Sequence, residues 1–351
     1  MKYIVMDLEW NQSAYGRAGE HPRLPFEIIE IGAVKLNHKY QLESEFRELI
    51  TPKVYRKLHH TIRKMLSYDE QELQQDGRPF PEVCQRFLDW CGKDAVFCTW
   101  GMSDLFYLQN NMDFYHMDML PYPVHYYNIQ QIYADKYDPR RMICKLEKAV
   151  EALGIPEDEP FHAAISDARY TAKVLAAAKL GNIKKKYTID LYQRPKSPSE
   201  IINDRHDEVI DYISVEYPTR QLAMEDEGVS ELRCPKCGRL TTPMVDWFMN
   251  AQNTEMAIGK CVRHGFAEGR IRFRNTSGSD DTVYAIKRIT RTTQEGYESL
   301  MTRQTEIREK KKQKRHESER RKAEAKRVRT RRSPGQRSKG RQHQNTKKTA
   351  T

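Results

Sequence analysis

Short apolar runs and helical repeats alternate through the first half of the chain. Residues 2–8 (Lys-Tyr-Ile-Val-Met-Asp-Leu) are mostly large or β-branched and too few for a good helix, which predicts a strand buried on both faces. Residues 27–36 predict a second strand, and 41–50 alternate polar with apolar positions as a half-exposed edge strand does. Phe80, Val83, Cys84, Phe87 and Cys91 recur at helical spacing, followed by another short apolar run at 95–99. Residues 103–111 predict a helix, 126–129 a strand, and 142–153 an amphipathic helix closed by Gly154 and Pro156. The last helix of this half is predicted over 164–180, with Ile165, Ala168, Ala172 and Leu175 on one face and Gly181 as its stop. Three early strands followed by alternating helices and strands predict an α/β domain over 1–183, a mixed five-stranded sheet flanked by helices.

The pattern then changes. Lys184, Lys185, Lys186, Pro195 and Pro198 mark residues 184–229 as a connector, within which 200–217 hold enough Ile, Val and Tyr to predict a packed helix. A small module at 230–275 carries four potential metal ligands, and 276–351 form a basic extension. Beyond residue 300 the chain is too polar to bury a core and is expected to be disordered or helical. The net charge of +11 is concentrated there: residues 301–351 hold 20 basic and 5 acidic side chains, a net of +15, leaving residues 1–300 at −4. Such asymmetry points to a polyanionic partner for the tail, most simply nucleic acid, as in a ribosome or RNA–protein complex, with an anionic membrane surface or plain solvation as the alternatives. No window approaches the ~18 consecutive apolar residues of a membrane span, and a carboxylate follows the initial Met by six residues, so neither a secretory signal nor a membrane partner is expected. Seven cysteines scattered over 351 residues fit a reducing, cytoplasmic setting.

Candidate chemistry begins at Asp7 and Glu9. Residues i and i+2 of a strand project from the same face, so two carboxylates meet at the predicted end of the first strand, where a sheet of this class binds its ligands. Adjacent anions repel unless a cation neutralises them, although a solvated surface pair shows the same spacing. Asp104 follows the run at 95–99 in Trp-Gly-Met-Ser-Asp, again at a strand's exit. His162 and Asp167 open the last predicted helix, and positions five apart can face one site only if His162 lies in the loop before it. Taken singly, His162 also reads as a surface residue and each Asp as a helix cap.

Together these residues resemble the DEDDh family of 3′-to-5′ exonucleases, which includes DNA-proofreading subunits, RNase T and oligoribonuclease. Asp7-x-Glu9 matches the first motif, Asp104 the second, and His162-x4-Asp167 the third; residues 30–34 (Glu-Ile-Gly-Ala-Val) look like the family's second strand. Trp100-Gly101 before the second motif and the segment 128–134 look like the RNA-directed branch of histone-mRNA exonucleases and KapD-like proteins. The resemblance, which covers residues 1 to about 180, implies an RNase H-like fold and hydrolysis at single-stranded 3′ ends, RNA favoured over DNA. It implies two Mg²⁺ or Mn²⁺ ions held by Asp7, Glu9, Asp104 and Asp167, with His162 as general base. Two divalent ions can clamp both oxygens of an in-line displacement, and hard oxygen ligands suit Mg²⁺ or Mn²⁺. Two other readings stay open: a nucleic-acid- or ribosome-associated regulatory adaptor with weak or no nuclease activity, and a DNA-directed exonuclease.

Cys234-x2-Cys237, 23 intervening residues, and Cys261-x2-His264 have zinc-ribbon-like spacing. Tight turns aim such pairs at one tetrahedral ion, and Gly238 and Gly265 supply the backbone freedom that these knuckles use. A redox-active Cys-x2-Cys is the alternative; the Cys-x2-His partner favours one structural Zn²⁺. Arg263, Arg270, Arg272 and Arg274 nearby can contact phosphates or merely solvate a face.

Overall fold

The computed structural model describes residues 1–66, 68–138, 142–178, 183–276 and 279–331. β1 (Lys2–Asn11), β2 (Glu27–Leu36) and β3 (Leu42–Leu49) form an antiparallel meander. Three helices follow: α1 (His60–Met65), α2 (Glu70–Gln75) and α3 (Phe80–Cys91). β4 (Ala95–Thr99) then returns parallel to β1, and after α4 (Ser103–Phe114) β5 (His125–Asn128) lies parallel to β4. α5 (Ile129–Tyr137), α6 (Leu146–Ala152) and α7 (Ala164–Ala177) complete the helices of this part. The sheet order is β3-β2-β1-β4-β5-β6, where β6 (Thr188–Ile189) adds a two-residue antiparallel edge to the five strands expected. This is an RNase H-like mixed sheet.

The run at the start of β1 is apolar on both faces because helices cover both. Tyr3 and Val5 pack with α5, α6 and α7, whereas Ile4, Met6 and Leu8 pack with α3 and α4. α6 begins four residues later than the pattern predicts: Met142 and Ile143 are 64% and 55% exposed and contribute nothing to its buried face. The predicted stop of α7 at Gly181, and Leu180 before it, lie outside the described residues.

A second sheet occupies the sequence from 202 onward. β7 (Ile202–His206) and β8 (Val209–Tyr217) are followed by α8 (Arg220–Glu225) and α9 (Glu227–Ser230). β9 (Thr242–Met249), β10 (Thr254–Cys261), β11 (Gly265–Thr276) and β12 (Ser279–Arg291) complete an antiparallel sheet ordered β7-β8-β12-β11-β10-β9. The predicted helix over 200–217 is therefore a β-hairpin, and the stretch read as a connector supplies two strands. Asp207 and Glu208 both adopt positive φ (40° and 60°), the requirement of the two-residue turn whose twist suits paired strands. α10 (Gln294–Arg331) docks its first turns by packing Leu300 against Val245, Met256 and Ile258 and stacking Tyr297 on Phe266. The stretch read as a basic extension from 276 thus first supplies β12 to the sheet and is helical only over Gln294–Arg331, and residues 332–351 lie outside the described residues. Among the described residues no helix is long and apolar enough to cross a membrane.

Candidate active site and metal centres

The apolar face of β1 that carries Tyr3 and Val5 continues as Asp7 and Glu9, so the strand changes from core to carboxylate at its C-terminal end. A bulge follows between Glu9 and Trp10, the kind of irregularity that re-aims side chains beside a site. Trp10 turns to an aromatic cluster with Phe26 and Tyr107. Asp104 sits in the first turn of α4, and its Oδ1 accepts the Leu8 N–H at 3.2 Å, tying α4 to β1. Asn111 fastens the other end of α4: its Oδ1 accepts the Ile28 N–H at 3.1 Å and its Nδ2 donates to the Phe26 carbonyl at 3.0 Å.

Asp167 projects from the first turn of α7. His162 lies in the loop before that helix, as the spacing demanded, with φ at +65°. A non-glycine residue in this region costs on the order of 1 kcal/mol or more, and the loop is held there by its contacts. Its backbone N–H donates to Asp167 Oδ2 at 3.3 Å. Asp7, Glu9 and Asp167 place one oxygen each within 4.8 Å of one another; Asp104 stands outside that trio but close enough to act on Asp7 electrostatically.

Two residues that the motif reading left without a role hold α7 in place. Gly32 pairs with Asp7 across β1 and β2, and a Cβ there would lie 2.2 Å from the backbone carbon of Ala164. Glu30, fully buried opposite Glu9, accepts from Arg47 Nε at 2.7 Å, from the Tyr68 hydroxyl at 3.0 Å and from the Ala164 N–H at 3.5 Å. The signal for both was a Glu and a Gly interrupting an apolar run. Gly32→Ala is expected to lower stability by about 1–3 kcal/mol through overpacking and to weaken Mn²⁺ binding by displacing Asp167. Denaturant unfolding and Mn²⁺ titration check this; an unaltered midpoint would contradict so close an approach.

Burial raises every carboxylate of the cluster, and their mutual repulsion adds to it. Asp7 is held well above the ordinary range by burial and then by Asp104, Asp167, Glu9 and Glu30. Glu9 is pushed up to about 8 by burial, then by Asp167 and Glu30. Asp104 rises to about 7, chiefly through burial, and Asp167 to about 6 for the same reason, with the His162 N–H opposing. Asp167 Oδ1 is buried with no hydrogen-bond partner. An orphaned buried acceptor among unneutralised acids is what a divalent cation would satisfy, so the residues fit a Mg²⁺ or Mn²⁺ site.

The second cluster lies at one end of the second sheet. Cys261 closes β10 and Gly265 (φ +78°) opens β11, so the Cys-x2-His segment is a hairpin turn. Cys234 and Cys237 share a turn in which the Gly238 N–H (φ +73°) donates to the Cys234 carbonyl at 2.7 Å. Cys237 Sγ is 3.8 Å from Cys261 Sγ, and His264 Nδ1 is 3.5 Å from Cys234 Sγ and 3.7 Å from Cys261 Sγ. Zn–S of ~2.3 Å and Zn–N of ~2.0–2.1 Å in a tetrahedron require edges of about 3.8 Å between sulfurs and about 3.5 Å between sulfur and nitrogen. The cluster has the size of a zinc site, and the sulfur spacing far exceeds a disulfide bond. Backbone N–H groups of the turn, that of Arg263 first, lower the Cys261 thiol to about 6, which favours the thiolate form that metals bind.

Residues 4–175 match the family model for exonucleases of the RNase T type, a span that holds all five residues of the first cluster. This segment is an exonuclease domain of the RNase T type. A comparison with curated proteins finds no match. Among solved structures, the chain is similar to the nuclease domain of 3'hExo, a DEDDh family member bound to rAMP, at 22% identity and a TM-score of 0.46 over 55% of this chain and 97% of that one. It is also similar to cell-death related nuclease 4, at 19% identity and 0.44 over 54% and 66%. The E. coli ExoI–ssDNA complex gives 14% identity and 0.43 over 52% and 41%. The exonuclease domain ends before the second sheet, whose strands and Cys/His cluster lie outside the matched span.

Proposed function

We propose that the protein is a metal-dependent 3′-to-5′ exonuclease that hydrolyses phosphodiester bonds at single-stranded 3′ ends, RNA in preference to DNA. The observation that carries the reading is the convergence of Asp7, Glu9, Asp104 and Asp167, all raised by burial, with Asp167 Oδ1 unpartnered, inside a segment of the exonuclease family. Asp7, Glu9 and Asp167 would hold one divalent ion, and Asp7 with Asp104 a second. Two such ions supply charge that stabilises the attacking and leaving oxygens and acidify the attacking water. His162 would take the proton from the attacking water: an imidazole is a competent base near neutrality, and the left-handed loop, whose His162 N–H donates to Asp167, leaves the residue half-buried. The preference for RNA rests on the likeness of Trp100-Gly101 and residues 128–134 to the RNA-directed branch. Cys234, Cys237, Cys261 and His264 would hold one structural Zn²⁺, since four protein ligands leave no open position. The basic α10 would tether the polymer through phosphates.

His162→Ala is expected to lower kcat by about 10²- to 10⁴-fold while strand binding changes little, because only proton transfer is lost. Single-turnover hydrolysis alongside binding of a labelled strand checks this. Undiminished turnover would remove His162 from the base role.

A further inference from the structure

A groove of about 960 Å³ separates the outer face of α4 from the second sheet. Its wall on the exonuclease side includes Met102 and Phe106, which are 60% and 37% exposed although they flank the buried Asp104. Positions 102 and 106 share one face of the helical turn and position 104 the other, so the first turn of α4, a helix ~10–12 Å broad, stands between the groove and the carboxylates, and a strand joining the two would pass around its N-terminal end.

The opposite wall is a face of β11 and β12 on which Tyr284 and Ile286 pack against Ile189, Ile202 and Ile213 while Arg274 and Asn275 remain exposed. Ile271 and Phe273 point to the buried side, and Arg270, Arg272 and Arg274 alternate with them toward solvent. Across the strands Arg274 pairs with Tyr284, Arg272 with Ile286, and Arg270 with Arg288. Like charges directly opposite are destabilising in a sheet. Arg270 and Arg288 are relieved by Glu268 at 2.5 Å and Asp211 at 3.5 Å. Among the described residues, Arg272 and Arg274 have no carboxylate partner. The groove lining carries four cations (Arg23, Arg194, Lys196 and Arg274) against two acids, with Arg23 3.9 Å from Asp113 and Arg194 3.7 Å from Glu216. Both acids are engaged: Asp113 accepts from the Tyr192 hydroxyl at 3.0 Å, and buried Asp190 from Gln109 at 2.5 Å. Aromatic surface is interleaved with this charge, with Phe106 edge-on to Tyr192 and Arg194 over Tyr284.

We infer that this groove is the track for the single-stranded polynucleotide upstream of the 3′ end, running from the first turn of α4 past Phe106 and Tyr284 onto Arg274 and Arg272. The assignment of the carboxylates to its 3′ end rests on the proposed nuclease reading. Unpaired guanidinium groups suit phosphates, and aromatic rings give bases of any sequence a stacking surface. An acidic protein segment would use the cations but has no call for the rings. The chain's own basic helix is repelled by the same charge.

The test uses the full-length protein and a fluorescently labelled single strand, RNA and DNA in separate arms. Fluorescence anisotropy without added Mg²⁺ or Mn²⁺ reads binding without cleavage; hydrolysis in Mg²⁺ is read in parallel. Arg272→Glu/Arg274→Glu is expected to weaken binding by about tenfold or more and to flatten the dependence of log affinity on log salt by about 1.4, two phosphate contacts at ~0.7 each. The neutral Arg272→Gln/Arg274→Gln, which changes little besides charge, is expected to show the same flattening. With Mg²⁺, the advantage of a long strand over a nucleoside 5′-phosphate ester with a small leaving group should shrink by a similar factor. Affinity and salt slope equal to wild type in both variants overturn the groove even if the protein cuts. A wild type that binds but does not cut overturns the nuclease reading and leaves the groove standing.

Discussion

Asp7→Ala and Asp7→Asn are expected to reduce hydrolysis by about 10³-fold or more, the largest loss of any single substitution in the site. Several kcal/mol of charge stabilisation depend on the ions Asp7 would share, and each ~1.4 kcal/mol is tenfold in rate. Asp7 is also the residue most strongly opposed by its neighbours, since Asp104, Asp167, Glu9 and Glu30 all act on it. That gives the substitution an opposite effect on the metal-free fold. A carboxylate whose folded value is raised binds more protons folded than unfolded, so its contribution to stability is present at low pH and is lost as pH rises. The window runs from the ordinary carboxylate range near ~4 up through the folded values of about 6, 7 and 8 for Asp167, Asp104 and Glu9. In EDTA at pH 8, Asp7→Asn is therefore expected to melt above wild type, whereas added Mn²⁺ raises the wild-type Tm and leaves the variant nearly unmoved. Thermal melts at pH 5 and 8, with and without Mn²⁺, measure both signs. A variant that melts below wild type in EDTA at pH 8 would contradict the crowding of charge around Asp7.

Cys234→Ser is expected to remove a stoichiometric zinc and to destabilise the second sheet by several kcal/mol. Structural zinc in isolated finger peptides contributes about 10–16 kcal/mol of apparent binding energy to folding. The effect here should be smaller, because the sheet also has its own core around Ile271, Ala285 and Val229. The loss falls where the ligands sit: the turn at Cys234 and the β10–β11 hairpin end would lose the only bond between them that four donors at these spacings can make. Metal analysis and unfolding of the purified protein decide it. Zinc-free protein with an unchanged unfolding midpoint would contradict the site.

The parts of the fold that read well from sequence are those whose pattern is enforced by burial. β2 and α3 are legible to their ends because both are packed along their length and stop at a turn residue, Asn37 and Gly92. α5 is hidden in the pattern: Ile129 ends an apolar run, but the Asn128 side chain accepts the Gln131 N–H at 3.1 Å and caps a helix there. The hairpin of β7 and β8 was misread because Asp207-Glu208 lacks the Asn-Gly signature of its turn, although Ile, Val and Tyr at alternating positions carry a period of two. Of the candidate site, the five residues of the exonuclease motifs and the four Cys/His ligands were legible as spacings and are brought together in two clusters. What spacing cannot show is support from distant segments. Glu30 meets Arg47, Tyr68 and Ala164, and Arg274 of β11 comes to line a groove with α4 only through the second sheet.

The central claim is tested most directly by incubating the wild-type protein with a 5′-labelled single strand, RNA or DNA, and resolving the products by length. With Mg²⁺ or Mn²⁺ the label should move through a ladder shortening from the 3′ end, faster for RNA, and EDTA should abolish it. An undegraded strand that remains bound in the presence of either metal would contradict the account and leave the carboxylate cluster without a reaction.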